Sequence, residues 1–404
     1  MQKTLMILGA GVHQLSTIKE ALDNMDLKVV IVDKDKDAAG FIHLQDDNLE
    51  KINLSVKDED SLLEVACAYS IDGIIAPCAD AGIRTAGYIN DKMNLKGPSY
   101  LSTVVCQDKH LMYDYFNNYT DIRMPKRYHW SGISGDCFPL ISKPVTGVGS
   151  KEVYRYDSLF AFNRNFDFDN SNNYVIEEFV EGDLYTNTVI MQNGRAVYSF
   201  TLSQTLMENN FGTGLFTYPS KGGLNSAILL KSLDVIRALG IRDGAVEVEG
   251  IINPAKRINI IDVNPRMAGG FIFDAHSEFT NTNMIKAAID ASLGNIIHIV
   301  PSRKTNYAIM YKGVEDTECE EGVIDDISYS YSDFGTPRHQ KRLIKPLGSP
   351  IKPCNTKETA SDQFVVAVYA DGYTAADAYN KCALICNDIE IGVKENEDSD
   401  DDWW

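Results

Sequence analysis

Two apolar stretches that carry acids at alternate positions constrain the fold of this chain more than any other feature. Gly244-Ala245-Val246-Glu247-Val248-Glu249 and Ile258-Asn259-Ile260-Ile261-Asp262-Val263-Asn264-Pro265-Arg266 flank a turn at Asn253-Pro254. Both have strand character, and the turn makes them antiparallel neighbours. Period 2 puts Glu247 and Glu249 on one face of the first strand, and Asp262 and Asn264 on one face of the second. Ile258, Ile260, Ile261 and Val263 make the second strand apolar enough to be central, and an acid on a buried strand needs a partner. Three or four oxygen ligands facing one another across a hairpin suit a hard divalent cation such as Mg²⁺, which fills its remaining positions with phosphate and water. In this reading Glu247 and Asp262 face each other and repel when no cation is present. Arg266, two residues beyond Asn264, reaches the same face with a fork suited to phosphate or carboxylate.

The N-terminal hundred residues have a different texture. Leu5 to Leu8 is a short apolar strand, followed by Gly9-Ala10-Gly11-Val12-His13-Gln14 and a helix with Ile18, Ala21, Leu22 and Met25 on one face. A strand from Lys28 ends on Asp33, a helix follows near Ser61–Ala68, and a strand at Gly73–Ala76 leads to Asp80 in a loop. Strands alternating with helices at this spacing indicate a parallel, doubly wound sheet. Gly9-x-Gly11 with Asp33 about twenty residues on matches half of a dinucleotide fingerprint. Gln14 stands where the third glycine belongs, so the preferred reading is a glycine turn without a dinucleotide.

Between these regions, Pro139 to Pro144 forms a strand carrying Lys143, followed by Thr146-Gly147-Val148-Gly149-Ser150 and a second strand at Glu152–Tyr154. A glycine loop between strands can fold over phosphates, because its N–H groups approach the oxygens closely. The strand Tyr174-Val175-Ile176-Glu177-Glu178-Phe179-Val180 then runs into Glu181-Gly182-Asp183, and a helix is expected at about 224–239. After Gly294, strands at Tyr307–Tyr311 and Phe364–Tyr369 precede a helix opened by Thr374-x-x-Asp377.

Composition excludes several classes. The 57 acids against 38 bases leave a net charge of −19 over 404 residues, which argues against binding to nucleic acid or to an anionic membrane. No apolar run approaches the roughly 18–20 residues that span a bilayer. Met1-Gln2-Lys3-Thr4 does not open a signal peptide. The eight cysteines are scattered and lack the spacing of a zinc site or disulfide framework. A reduced cytoplasmic protein is the simplest reading. From Glu395 onward six acids without a base form a solvated tail that ends on Trp403 and Trp404.

Lys109, Lys143 with its Gly147/Gly149 loop, Glu177-Glu178-Phe179-Val180, Glu247 and Asp262-Val263-Asn264-Pro265-Arg266-Met267-Ala268-Gly269-Gly270 follow one another as they do in the ATP-grasp superfamily. The chain resembles its carboxylate–amine ligase branch and is similar to bacterial L-amino-acid ligases. More distantly it resembles biotin carboxylase and the carbamoyl phosphate synthetase large subunit. This resemblance implies a mixed α/β and α+β fold in four stretches. A Rossmann-like parallel sheet occupies 1–98, and an ATP-grasp core of two α+β lobes occupies 99–300 with a lid at about 122–190. A small α+β domain covers 301–393, and 394–404 form the acidic tail.

The same resemblance implies site roles. Lys109 and Lys143 would contact ATP phosphates, and Thr146, Gly147, Gly149 and Ser150 would close over them. Glu177, Glu178, Phe179, Val180 and Asp183 would meet the nucleoside, although Leu184 stands where a ribose-binding Glu is common. Glu247, Asp262 and Asn264 would hold Mg²⁺, with Mn²⁺ as a substitute. Arg266 and Lys143 would stabilise the transferring phosphoryl group and the acyl phosphate. Asp80, Gly269, Gly270 and His276 are candidates for substrate contact, and His13 has a weaker claim. The expected reaction activates a carboxylate as an acyl phosphate and couples it to an amine, releasing ADP and phosphate. Small molecules are the expected partners, and the resemblance allows a homodimer. Two other readings stay open: carboxyphosphate chemistry with bicarbonate, and a nucleotide-binding module without turnover.

Overall fold

A computed structural model describes residues 2–119, 122–147, 149–207, 211–303, 305–314, 322–329, 339–351 and 364–395. Val148 of the glycine loop, Asn209 and the tail from 396 to Trp404 lie outside the described residues.

The chain folds into two compact units. The first comprises Met1–Thr146, Arg155–Ser203 and Tyr218–Lys304; the second comprises Gly147–Tyr154, Gln204–Thr217 and Thr305–Trp404. The first unit opens with the strands β1 (Thr4–Leu8), β2 (Lys28–Asp33), β3 (Leu49–Asn53) and β4 (Gly73–Ile75), in the parallel order β3-β2-β1-β4. Residues Leu5 to Leu8 are wholly buried, as expected for a strand covered on both faces.

The glycine turn after β1 serves the fold. The Gln14 side chain fills it and donates to the Pro77 carbonyl at 2.6 Å, while Asp33 accepts from the Ala10 amide at 2.9 Å. The predicted helix through Met25 is broken into a short α-helix at Leu15–Lys19 and a π-type turn at Glu20–Asn24. Asp80 does not lie in a loop; it is the first residue of the helix Asp80–Met93.

A second, small sheet joins β5 (Arg127–Tyr128), β6 (Leu140–Pro144), β7 (Tyr154–Tyr156) and β8 (Tyr174–Glu178) in the order β5-β8-β6-β7. The strand expected at Glu152–Tyr154 therefore begins two residues later. Ser150 and Glu152 have φ of +59° and +54°, which an extended strand cannot contain.

The large antiparallel array of the first unit orders β9 (Asp183–Gln192), β10 (Arg195–Leu206), β12 (Gly244–Ile252) and β13 (Ile258–Asn264) as β13-β12-β9-β10. One face packs Val189, Met191, Val246, Val248 and Val263 against the helix Asn225–Ala238. Behind it, the helix Met284–Leu293 is buried at nine of its ten residues and packs against β4, β9 and β12. A Cβ on Gly73 of β4 would come within 2.9 Å of the Ser292 carbonyl, so glycine sets that close approach.

In the second unit, β11 (Thr213–Tyr218), β14 (Asn306–Gly313), β16 (His339–Leu343) and β18 (Phe364–Gly372) follow the order β11-β14-β18-β16. The strands β15 (Gly322–Tyr329), β17 (Pro350–Ile351) and β19 (Ile389–Glu395) form a separate sheet, β17-β15-β19. The helix Ala375–Asn387 packs on β14 and β18, and Thr374 caps it by accepting from the Asp377 amide.

The register of β12 and β13 contains one irregularity. Ile252 to Gly250 pair with Ile258 to Ile260, but Glu249, Val248 and Glu247 pair with Asp262, Val263 and Asn264. Ile261 is the extra residue of a β-bulge. Counted from the turn without the bulge, Asp262 would lie opposite Val248 and point into the apolar core. The extra residue turns Asp262 and Asn264 onto the face of the glutamates. It also corrects the sequence expectation: Glu247 faces Asn264, and Asp262 faces Glu249.

Candidate functional site

The acid-bearing face of β12 and β13 collects five of the charged residues predicted from sequence, Asp80, Lys109, Glu247, Asp262 and Arg266. Arg266 lies at its centre with a side chain only 10% exposed. Its Nε donates to Asp80 Oδ1 at 2.8 Å, and its Nη1 donates to Glu247 Oε2 at 2.5 Å and to the Met267 carbonyl at 3.2 Å. Burial by itself would lower the Arg266 pKa, but the Asp80 and Glu247 carboxylates outweigh it and hold the guanidinium charged. The other Glu247 oxygen, Oε1, accepts from Thr186 Oγ1 at 3.1 Å. The repulsion expected between Glu247 and Asp262 is thus relieved within the protein, because each carboxylate has its own cation. Asp262 lies 3.9 Å from Lys109 Nζ and accepts from Asn264 Nδ2 at 3.1 Å.

Lys109 opens the helix Lys109–Phe116, with Asp108 as its cap, and its own amide donates to the Val145 carbonyl at 3.0 Å. Lys143 on β6 pairs with Glu177 on β8 at 2.9 Å, and both side chains are largely buried. Lys143 Nζ also reaches the carbonyl of the bulged Ile261 at 3.4 Å. A bulge leaves a carbonyl out of the ladder, and here a lysine takes it up. Glu177 is therefore an ion-pair partner of Lys143, with its carboxylate 3% exposed.

The remaining predicted nucleoside contacts run from the last residue of β8 to the first of β9. The Glu178 carboxylate accepts from the Lys126 amide at 3.0 Å, and the Phe179 amide donates to the Pro139 carbonyl at 3.0 Å. The Arg155 guanidinium lies 4.2 Å above the Phe179 ring. Val180 is half-buried, and Asp183 is exposed at the start of β9. Thr146 ends a segment of the first unit, whereas Gly147, Gly149 and Ser150 belong to the second. Gly149 and Ser150 are both left-handed, at +63° and +59°.

Of the predicted substrate residues, Asp80 lies against Arg266 and Gly269 has open space around its Cα. Gly270 and Phe271 have φ of +65° and +60° and lead into the helix Ile272–Thr280. His276 is enclosed by the rings of Tyr198, Phe200 and Tyr218. It is fully buried, its ring stacks on Phe200 at 3.8 Å, and its Nε2 lies 2.9 Å from Tyr198 Oη. Burial pushes its pKa down to about 3, so the ring is neutral. His13 lies against Phe271 with ring centroids 4.8 Å apart, and burial lowers its pKa as well.

The sequence reading missed Thr186, Thr188 and Cys78. The threonines lie on β9, where Thr188 pairs with Glu247 and Thr186 with Glu249. Their period-2 spacing was a readable signal, because polar residues on a central strand mark a wet face. Cys78, with φ of +54°, donates from Sγ to the Ala268 carbonyl at 3.1 Å. Burial pushes its thiol up to about 12 despite the nearby Arg266, so it is an inert thiol.

The donors assembled here are oxygens. No group of three His, Cys, Asp or Glu side chains closes on a metal among the described residues. That pattern suits Mg²⁺, which is commonly held by one or two carboxylates and completes its shell with water and phosphate. Ionic networks this deep contribute little net stability, and they are common where proteins do chemistry.

Residues 106–270 match the family model described as an ATP-grasp domain. A comparison with curated proteins yields no match. Among solved structures, the chain is similar to L-amino acid ligase from Bacillus licheniformis, at TM-score 0.78 and 16% identity, covering 98% of this chain and 99% of that one. It is similar to phosphoribosylglycinamide synthetase from Anaerococcus prevotii at TM-score 0.75 and 19% identity, covering 98% and 100%. N5-carboxyaminoimidazole ribonucleotide synthetase from Thermotoga maritima aligns at TM-score 0.72 and 13% identity, covering 97% and 100%.

Proposed function

Because the chain carries an ATP-grasp domain, we propose that it is an ATP-dependent ligase that activates a carboxylate as an acyl phosphate and couples it to an amine. One observation carries this reading: four ion pairs, Arg266 with Asp80 and with Glu247, Lys109 with Asp262, and Lys143 with Glu177, belong to one unit around the bulged strand. Positive charge held close to carboxylates, in a partly dry site, suits the transfer of a phosphoryl group. Glu247, Asp262 and Asn264 would hold Mg²⁺, which when bound neutralises charge on the phosphates. Lys109 and Lys143 bind phosphate oxygens as the nucleotide draws them from Asp262 and Glu177. Arg266, held in place by Asp80 and Glu247, orients the substrate carboxylate and stabilises the acyl phosphate. Displacement of phosphate by the amine then needs positioning and no covalent enzyme intermediate.

The test is phosphate release from ATP and Mg²⁺ with pools of amino acids and other carboxylates. Turnover that requires both a carboxylate and an amine supports the ligase. Turnover that requires bicarbonate would replace it with carboxyphosphate chemistry, and silence with every pool would leave a nucleotide-binding module.

A further inference from the structure

Three strands present their polar side chains to the site in two rows. Thr188, Glu247 and Asn264 form one row across β9, β12 and β13, and Thr186, Glu249 and Asp262 form the next. Directly paired residues of an antiparallel sheet share a face, so Thr188 stands on the side occupied by Glu247. Thr186 is engaged, donating to Glu247 Oε1. Thr188 is not. It is 1% exposed, and its Oγ1 has no hydrogen-bond partner among the described residues. Buried hydroxyls nearly always have partners, and one left without is a cost the fold ordinarily removes. The two oxygens of its neighbour Glu247 are already taken by Thr186 and Arg266. The hydroxyl is therefore not a support for Glu247 in the resting protein.

We propose that Thr188 is a positioning residue for the Mg²⁺·nucleotide complex, its hydroxyl hydrogen-bonding an oxygen of the metal's shell, either a water or a phosphate oxygen. The inference rests on the function proposed above, since that reading places the metal beside Glu247. It explains why a threonine occupies a buried central position where valine, with the same shape, would leave no polar atom unpaired. The hydroxyl is matched to oxygens that arrive with the ligand.

The test is calorimetric titration of the full-length protein with ADP in excess Mg²⁺, and with ADP in a chelator, together with thermal melts of the ligand-free protein. Thr188→Val should weaken Mg²⁺·ADP binding about tenfold, as expected for one lost hydrogen bond to a charged complex. It should leave chelated ADP binding and the ligand-free melting temperature unchanged or improved. Thr188→Ser, which keeps the hydroxyl, should bind Mg²⁺·ADP within about twofold of wild type. Equal Mg²⁺·ADP affinity in the valine and wild-type proteins would overturn the role of Thr188 and leave the ligase reading intact. So would a serine variant as weak as the valine one. Wild-type protein that binds no Mg²⁺·ADP would overturn both. Should the valine variant not fold, Thr188→Ala against Thr188→Ser makes the same comparison.

Discussion

Arg266 shows how single residues set this site. Its guanidinium is buried between two carboxylates, so removing one partner leaves a charge without compensation. Glu247→Gln keeps the shape and one acceptor but removes a charge. We expect it to lower stability by about 1–3 kcal/mol in a denaturant melt and to reduce ATP turnover by orders of magnitude. Glu249→Gln, one row away from Arg266, should reduce turnover less. His276 gives a pH signature. Its folded pKa near 3 lies below the value of about 6.5 in an unfolded chain, so the unfolded state binds the extra proton between those values. Its contribution to stability is present above pH 6.5 and is lost as pH falls toward 3, with a limiting slope of about 1.4 kcal/mol per pH unit. His276→Gln should be less stable at pH 7.5 and should lose less on acidification; identical pH profiles for the two proteins would contradict the assignment. Glu247 and Asp262 were legible in the sequence because acids on an apolar strand are anomalous, whereas the roles of Lys109 and Lys143 were implied only by the resemblance to the ATP-grasp superfamily. The burial of His276 was not legible, because nothing near it in sequence announces Phe200, Tyr198 or Tyr218, which lie tens of residues away.

At the scale of elements, the β12–β13 pair depends on Gly250. It lies opposite the start of the bulge, and a Cβ there would collide with the Tyr185 hydroxyl and the Asn259 carbonyl. Neither obstacle is a flexible chain end in open space, since Tyr185 is 1% exposed and the other is backbone. Gly250→Ala should therefore cost about 1–3 kcal/mol in a thermal or denaturant melt, and weaken Mg²⁺·nucleotide binding by shifting Asp262. Adding Tyr185→Phe removes one obstacle and should recover part of the loss, a coupling that a double-mutant cycle measures. Period-2 alternation identified the correct face of each strand. It could not align the two strands, because the alignment comes from the extra residue Ile261, and an isoleucine in an apolar run carries no mark of a bulge. The glycine loop misled for a related reason: left-handed φ at Ser150 and Glu152 is rare for such residues, and neither side chain signals a later start to the strand.

For the whole molecule, the N-terminal sheet is part of the first unit's core. The helix Met284–Leu293 packs on β4 as well as on β9 and β12, and Lys3 donates to the Leu293 carbonyl at 2.8 Å and to Asn295 Oδ1 at 2.7 Å. Deleting residues 1–98 should leave an insoluble or aggregated fragment, measured by yield and by elution on size exclusion; a monomeric fragment with a cooperative melt would show the sheet to be an appendage. The alternating strands and helices announced this sheet in the sequence, while its cover was hidden more than two hundred residues downstream. That separation has a consequence for synthesis. A ribosome adding roughly 5–20 residues per second completes β4 on the order of ten to forty seconds before it delivers the helix that covers it. For that interval an apolar surface built around Gly73 waits for a partner still being translated, so the nascent chain should depend on a holding chaperone far more than the finished protein does.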